Sequence, residues 1–481
     1  MKGMMMHRPL RIADILTFGE EAHGDAEIIS VTVEGGIHRT TYGETAGRVR
    51  KMANALQNIG VKLGDRIATL AWNGYRHFEL YYAISGIGAV CHTINPRLSA
   101  EQMVYIINHA EDSVICVDLT FVPILESLKD QIPAEMKFII MTDQDHMPDT
   151  SLKHVLCYEE LLEPCDSNIE WPEFPEETAS SLCYTSGTTG NPKGSLYTHR
   201  STVLHSLTAG ISFPETMRAG VRILPVVPLF HVNAWGLAYV APLVGASIIF
   251  PGPHLDGKSI FELMDNENVF SAWGVPTVWL GLLSEITNRG RIPKGFGEVI
   301  IGGSAVPRSM VESFEKLEVS VCHAWGMTEM SPIGTNGRLS PVHARLPMSE
   351  KIDLKVKQGR RVYGVELKIV DESGNRVPHD GVSNGEVYVR GIMIISDYYY
   401  NPEATSAAMD SEGWCGTGDV ATLDSNGFLT ITDRAKDLIK SGGEWISSID
   451  VENMAMSHEH VSNCAVIAIP CLLYTSPSPR D

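Results

Sequence analysis

The residues of this chain best suited to chemistry lie in Tyr184-Thr-Ser-Gly-Thr-Thr-Gly-Asn-Pro-Lys-Gly194. Four aliphatic hydroxyls (Thr185, Ser186, Thr188, Thr189), three glycines (Gly187, Gly190, Gly194) and Lys193 fall within eleven residues. Glycines let a backbone close on an anion and aim its N–H groups at it. Hydroxyls add donors and can meet a magnesium ion, and a lysine adds a mobile positive charge. This is a composition for handling phosphate. Leu182-Cys183-Tyr184 reads as a strand end, and Tyr197 to Leu207 as the start of a helix. The loop is therefore expected between a strand and a helix, where anions bind. It is not a Walker A loop, which needs Gly-Lys-Ser/Thr opening a helix. Here Pro192 precedes the lysine and Gly194 follows it, which disfavours a P-loop ATPase or kinase. A flexible surface linker is the plainer alternative, but linkers seldom end in Pro-Lys-Gly between apolar runs.

Five further stretches carry usable chemistry. Pro228-Leu-Phe-His-Val-Asn-Ala-Trp-Gly236 places His231 among apolar residues; taken alone, that is more often a core histidine than a catalytic one. Gly302-Gly-Ser-Ala-Val-Pro307 permits close approach of a flat ligand, or is a plain strand-to-helix turn. His323-Ala-Trp-Gly-Met-Thr-Glu329 offers a ring to stack on a purine, a hydroxyl for a phosphate and a carboxylate for Mg²⁺. Gly413-Trp-Cys-Gly-Thr-Gly-Asp419 ends in a carboxylate able to accept from two vicinal ribose hydroxyls. Asp433-Arg-Ala-Lys-Asp-Leu-Ile-Lys-Ser-Gly-Gly-Glu-Trp-Ile446 reads as a charged turn.

Together these motifs resemble the adenylate-forming enzymes: acyl-CoA synthetases, luciferases and the adenylation domains of peptide synthetases. The resemblance runs from about Thr41-Tyr-Gly-Glu44 to about Pro470, with the motifs in the family's order. It implies that Thr185, Ser186, Gly187, Thr188, Thr189, Gly190 and Lys193 handle the ATP phosphates. Thr188 and Glu329 would meet Mg²⁺. Trp325, where the family most often has Tyr, would stack on adenine beside Gly326 and the Gly302-Gly303-Ser304 turn, and Thr328 would reach the α-phosphate. Asp419 and Arg434 would bind ribose. His231 would line the passage from the acyl pocket to the phosphates; Trp235, Gly303 and Trp325 would wall that pocket. Peptide-synthetase domains usually carry an Asp where His231 stands, so an acid without an α-amino group is implied. Lys436 matches the family's hinge and Lys440 the loop brought in for thioester formation.

The implied reaction activates a carboxylic acid with ATP as acyl-AMP, then passes the acyl group to coenzyme A. Phe230-His-Val-Asn-Ala-Trp-Gly236, Cys91-His-Thr-Ile-Asn-Pro-Arg97 and Tyr105-Ile-Ile-Asn-His-Ala110 most resemble medium- and long-chain fatty-acyl-CoA ligases and 3-methylmercaptopropionate–CoA ligases. A short or medium acid is expected. Two other readings stay open: a non-catalytic nucleotide-binding protein, and an adenylating enzyme that loads a carrier protein or oxidises its adenylate. The family's adenylation lysine is expected beyond Pro470. Cys471-Leu-Leu-Tyr-Thr-Ser-Pro-Ser-Pro-Arg-Asp481 resembles nothing in the family and reads as an artefactual junction. On that reading, this truncated chain is expected to be impaired in the first step.

These residues need elements to position them, and 481 residues suggest two or more subdomains. The fold class expected is α/β. Arg66–Trp72, Ala89–Ile94 and Ser113–Asp118 read as buried strands, separated by helices from His77 to Ile87 and from a Ser99 cap through His109. Ala246–Phe250, a helix over 259–266 and Val299–Gly302 repeat the rhythm. After Tyr363 short alternating strands (Glu366–Val370, Gly385–Arg390, Phe428–Thr432) predict an antiparallel β-subdomain. The boundaries expected are an N-terminal adenylation domain over 1–435, the start of a small α+β C-terminal domain over 436–470 including a strand at Cys464–Pro470, and the tail 471–481. No internal repeat is visible.

The formal net charge of −20 and the lack of any Lys/Arg block argue against nucleic acid. No apolar run reaches membrane-spanning length, and the N-terminus lacks the apolar core of a signal peptide. Nine cysteines and 17 histidines show no metal-ligand spacing, which suggests reduced thiols in a cytoplasmic protein. The family resemblance allows a homodimer.

Overall fold

In the computed structural model the described residues are 1, 3–185 and 191–434, then 439–441, 444–446, 448, 451, 455, 461, 464, 466 and 467, with backbone alone at 439–441 and 444–446. The chain forms two compact units. The first holds 1–298, 327–333 and 392–405; the second holds 299–326, 334–391 and 406–481.

The first unit is built on βαβ crossovers. One sheet runs in the order Val155–Cys157, Lys137–Ile140, Asp112–Val117, Arg66–Leu70, Val90–Thr93, Ala179–Tyr184, Gly194–Thr198. Every neighbouring pair is parallel except the last. Its strands are continuous apolar runs because helices cover both faces. Ile67, Ala68, Cys91, Ile115 and Cys116 are fully buried. The helix expected from His77 spans Tyr75–Gly86, and the one expected from a Ser99 cap starts there. Ser99 caps Ala100–Ala110 through a capping box, its hydroxyl accepting from Gln102 N while Gln102 returns a bond to Ser99 N. A second sheet contributes Ser271–Gly274, Arg222–Pro225, Ser247–Phe250, Glu27–Val31 and Ile37–Thr41 in that order, parallel but for the hairpin at its end.

The phosphate-type loop does not join a strand to a helix. It joins two antiparallel strands, Ala179–Tyr184 and Gly194–Thr198, with Tyr184 opposite Gly194. The helix begins later, at His199–Ser212. Two features of the sequence explain the correction. Ser195 and Tyr197 are buried while Leu196 and Thr198 are half-buried, a two-residue period that a helix cannot use. Thr198 then caps the helix by accepting from Ser201 N at 2.9 Å.

The second unit is dominated by β-structure. A four-stranded antiparallel sheet runs Val365–Val370, Gly385–Gly391, Cys415–Leu423, Leu429–Arg434. The change of texture expected after Tyr363 is this sheet. The unit opens with the strand Glu298–Ile301, and its helix Arg308–Lys316 follows the Gly302-Gly303-Ser304 turn. A hairpin pairs Ile439–Ser441 with Glu444–Ile446. The strand expected at Cys464–Pro470 and the tail 471–481 fall largely outside the described residues.

Candidate active site

In the first unit the hairpin loop is tied at its neck. Thr185 N donates to the Lys193 carbonyl at 2.9 Å, and Lys193 N donates to Thr185 Oγ1 at 3.2 Å. Thr185 therefore sets the mouth of the loop. Gly194 is closely surrounded: a Cβ would lie 3.1 Å from both Leu182 and Tyr399, so those side chains would have to give, and the Tyr399 N–H donates to the Gly194 carbonyl at 2.8 Å. Lys193 Nζ lies 5.0 Å from the centre of the Tyr398 ring, a cation–π distance. The phenol of that ring donates to Glu329 Oε1 at 2.6 Å. Tyr398 thus links the lysine of the first motif to the carboxylate of the fourth. Sequence reading missed it, because Tyr398-Tyr399-Tyr400 has no motif spacing; the run of three aromatics was the available signal.

Glu329 is buried, at 5% exposure. Its backbone carbonyl accepts from Ile395 N at 2.9 Å, and the Tyr197 phenol donates to the neighbouring Thr328 carbonyl. Burial holds the Tyr197 phenol far above its usual range, so it remains a donor. Among the described residues no cation forms an ion pair with Glu329. A buried carboxylate held only by a neutral phenol is poorly compensated. That donor set fits Mg²⁺, which is commonly held by one or two carboxylates plus substrate phosphates. The described residues contain no cluster of three or more His, Cys, Asp or Glu able to cage a metal alone.

His231 and Trp235 flank an unusual turn in the same unit. Val232, Asn233, Ala234 and Trp235 have φ of 47°, 53°, 48° and 56°, and Gly236 follows at 78°. Holding L-residues in left-handed geometry is unfavourable by about 1–2 kcal/mol each, so such a run needs anchors. Asn233, 4% exposed, supplies three. Its Nδ2 donates to Ser181 Oγ at 3.1 Å, and its Oδ1 accepts from the Tyr81 phenol at 3.2 Å and the Cys183 thiol at 3.4 Å. Val232 packs with Cys183 and Tyr197, with Trp235 and Ile395 alongside. Burial, aided by the charge of Arg97, lowers the His231 pKa, so the ring is neutral at neutral pH.

The second unit assembles another group. Asp419 and Arg434 stand opposite each other on adjacent strands, next to a register shift at Val420/Ala421. Such bulges re-aim side chains beside functional sites. Arg434 Nε contacts Asp419 Oδ1 at 2.9 Å, and Trp325 Nε1 donates to Asp419 Oδ2 at 3.0 Å. Three residues chosen from three separate motifs therefore meet on one carboxylate. Asp419 is 3% exposed and Trp325 9%. Gly302 is buried, whereas Gly303 and Ser304 are exposed. Gly303 has φ of 82°, a conformation that requires glycine at that point of the turn.

Trp325 and Gly326 belong to the second unit, and Thr328 and Glu329 to the first, so the fourth motif is shared. Ser186, Gly187, Thr188, Thr189, Gly190 and Lys436 lie outside the described residues, as does the side chain of Lys440, whose backbone is in the hairpin. Cys91, Cys116, Cys157, Cys165 and Cys183 are buried free thiols, Cys322 and Cys415 are buried, and Cys464 is half-buried. No described helix is long and apolar enough to cross a membrane.

The sequence profile of the AMP-binding enzymes matches residues 19–399. A medium-chain-fatty-acid–CoA ligase of Ectopseudomonas oleovorans is 48% identical over 471 residues, covering 97% of this chain and 85% of its own. A 3-methylmercaptopropionyl-CoA ligase of Ruegeria lacuscaerulensis is 47% identical, covering 98% of this chain and 87% of its own. Among solved structures, an anthranilate CoA ligase in complex with anthranoyl-AMP matches with a TM-score of 0.84 at 24% identity, covering 96% of this chain and 86% of its own. At that identity the match speaks for the fold. A profile covering most of the chain, with relatives near half identical over almost all of it, leaves one family: this chain belongs to the AMP-binding enzymes.

Proposed function

We propose that this protein is an acid–thiol ligase that activates a short- or medium-chain carboxylic acid with ATP and transfers it to coenzyme A. The observation that carries this reading is buried Glu329, without a described cation partner and linked through Tyr398 to Lys193. That arrangement suits Mg²⁺ and phosphate. Bound there by Glu329 and Thr188, Mg²⁺ would neutralise charge on the phosphates.

The acid's carboxylate oxygen attacks the α-phosphorus of ATP, and the bond to the β-phosphate bridging oxygen breaks, releasing pyrophosphate. The protein's task is positioning and charge neutralisation. The 185–193 loop and Lys193 hold phosphate oxygens; Ser186, Gly187, Thr189 and Gly190 are assigned to the same loop. Asp419 and Arg434 take the ribose, and Trp325 with Gly326 and Gly302-Gly303-Ser304 takes the adenine. The thiol of coenzyme A then attacks the acyl carbon and AMP leaves. Lys436 as hinge and Lys440 as second-step residue complete the assignment, with water excluded when the domain 436–470 moves.

Neutral His231 suits an uncharged acyl chain, and Trp235 beside it gives a wall suited to a short or medium one. The curated relatives act on medium-chain fatty acids and on 3-methylmercaptopropionate, whose thioether suits an aromatic wall. We assign both classes to this chain, in the cytoplasm and with a homodimer as the assembly to test by light scattering. The deciding experiment measures acid-dependent ATP–pyrophosphate exchange and CoA-dependent AMP release with butanoate, octanoate, dodecanoate and 3-methylmercaptopropionate. Exchange with AMP release supports the ligase. Exchange without a response to CoA supports the carrier-loading reading, and ATP binding without exchange supports a non-catalytic nucleotide-binding protein.

A further inference from the structure

The left-handed turn at Val232–Trp235 is buried from Val232 to Ala234, and besides the packing of Val232 it is tied to its surroundings by the amide of Asn233. We propose that Asn233 is a positioning residue for acyl-chain selection: its side chain holds the Val232–Trp235 turn left-handed, and the turn fixes where His231 and Trp235 stand. The inference rests on the ligase reading above, which places those two residues on the acyl side.

The argument is one of satisfied groups. Asn233 reaches partners on one strand and one helix at once: Ser181 and Cys183 are two residues apart on one face of Ala179–Tyr184, and Tyr81 lies on the helix Tyr75–Gly86. The amide donates to Ser181 through its nitrogen and accepts from Tyr81 and Cys183 through its oxygen, bonds that an apolar side chain cannot make. Burial raises the Tyr81 phenol and pushes the Cys183 thiol up to about 11, so both stay protonated and keep donating. The single Tyr81 O–H is shared between Asn233 Oδ1 and the nearer Leu229 carbonyl at 2.5 Å, and Asn73 Oδ1 accepts from Leu229 N at 2.6 Å. The start of the motif is therefore pinned by Tyr81 and Asn73, and its middle by Asn233. Remove the amide, and nothing described offsets the strain of the left-handed residues except the packing of Val232 and the backbone bonds of the turn, such as Gly236 N to the Asn233 carbonyl at 2.9 Å.

The test separates the turn from general stability. Asn233→Ala loses the anchors and penalises the left-handed backbone; Asn233→Gly loses the same anchors but adopts that backbone freely. The expected result is a change of about tenfold in the ratio of kcat/KM between the preferred acid and a shorter or longer one in Asn233→Ala, with recovery toward the wild-type ratio in Asn233→Gly and an unchanged KM for ATP. A uniform loss for all acids in Asn233→Ala, or identical ratios in the Ala and Gly variants, overturns it. If Asn233→Ala does not fold, Ser181→Ala removes one anchor; a graded shift of the ratio supports the proposal and an unchanged ratio overturns it. A readout independent of activity is the ¹⁹F resonance of 5-fluorotryptophan at Trp235, assigned by its loss in Trp235→Phe. It should move in Asn233→Ala and return toward its wild-type position in Asn233→Gly; no movement in either overturns the proposal. A wild-type protein that ligates no acid would instead sink the ligase reading, and the resonance would still decide the turn.

Discussion

Each of the two units buries a carboxylate among its candidate residues, and the two are treated in opposite ways. In the second unit Asp419 is balanced: the Arg434 guanidinium touches one oxygen and the Trp325 indole N–H the other. In the first unit Glu329 receives a phenol, and the nearby Lys193 rests on the ring of that phenol instead of on the carboxylate. A charge-balanced carboxylate suits recognition of neutral hydroxyls. An unbalanced one suits a cation that arrives with its ligand. The comparison teaches where charge is left open: at the half assigned to phosphate and Mg²⁺, and not at the half assigned to nucleoside.

Substitutions can break this contrast. Glu329→Gln keeps shape and removes charge; pyrophosphate exchange should fall by about 10²–10³-fold, and an unchanged rate would remove Glu329 from the phosphate half. Asp419→Asn should raise the KM for ATP by about ten- to thirtyfold while leaving the order of preferred acids alone. If the acid order changed, Asp419 would not be a nucleoside residue. Tyr398→Phe deletes one hydrogen bond and keeps the ring under Lys193. The Mg²⁺ concentration for half-maximal exchange should rise by about fivefold to tenfold, and Mn²⁺ binding followed by electron paramagnetic resonance should weaken in parallel. Trp325→Phe keeps a ring and loses the N–H, so a rise of about two- to fourfold in the KM for ATP is expected.

Acid provides a smaller test of the same pairing of units. Burial holds His205 in the first unit down to about 3 and His323 in the second down to about 4. Each is protonated in the unfolded chain below about 6.5 and stays neutral when folded. The unfolded chain therefore binds more protons between those values, so the stability each residue contributes is complete above pH 6.5 and is lost as pH falls. Asp118, which burial pushes up to about 7, acts in the opposite direction in the first unit. Single-site comparison removes that complication. His205→Gln should flatten the fall of unfolding free energy between pH 6.5 and 3, and His323→Gln between pH 6.5 and 4, each by about 1.4 kcal/mol per pH unit. Parallel slopes in variant and wild type would show that the rings charge in the fold.

Much of this molecule was legible in its residues because local physics decided it. The Ser99 capping box, the parallel strands read from Arg66, Ala89 and Ser113, and the antiparallel texture after Tyr363 follow from side-chain period, caps and turn residues. Lys193, Glu329, Trp325, Asp419 and Arg434 became candidates through their residue chemistry together with the resemblance of their motifs to the adenylate-forming enzymes. What the residues alone left open depends on partners distant in sequence. The segment after the phosphate-type loop turned out to be a strand, because Ser195 and Tyr197 find a buried face beside Ala179–Tyr184 and the helix waits for the Thr198 cap. Tyr398 gained a role only when folding put its phenol on Glu329 and its ring under Lys193. Asn233 likewise became a candidate only through Ser181, Cys183 and Tyr81. Local sequence determined which groups were available; three-dimensional packing decided which carboxylate is balanced, which is left open, and which strained turn is held, because burial and hydrogen-bond satisfaction are properties of neighbours in space.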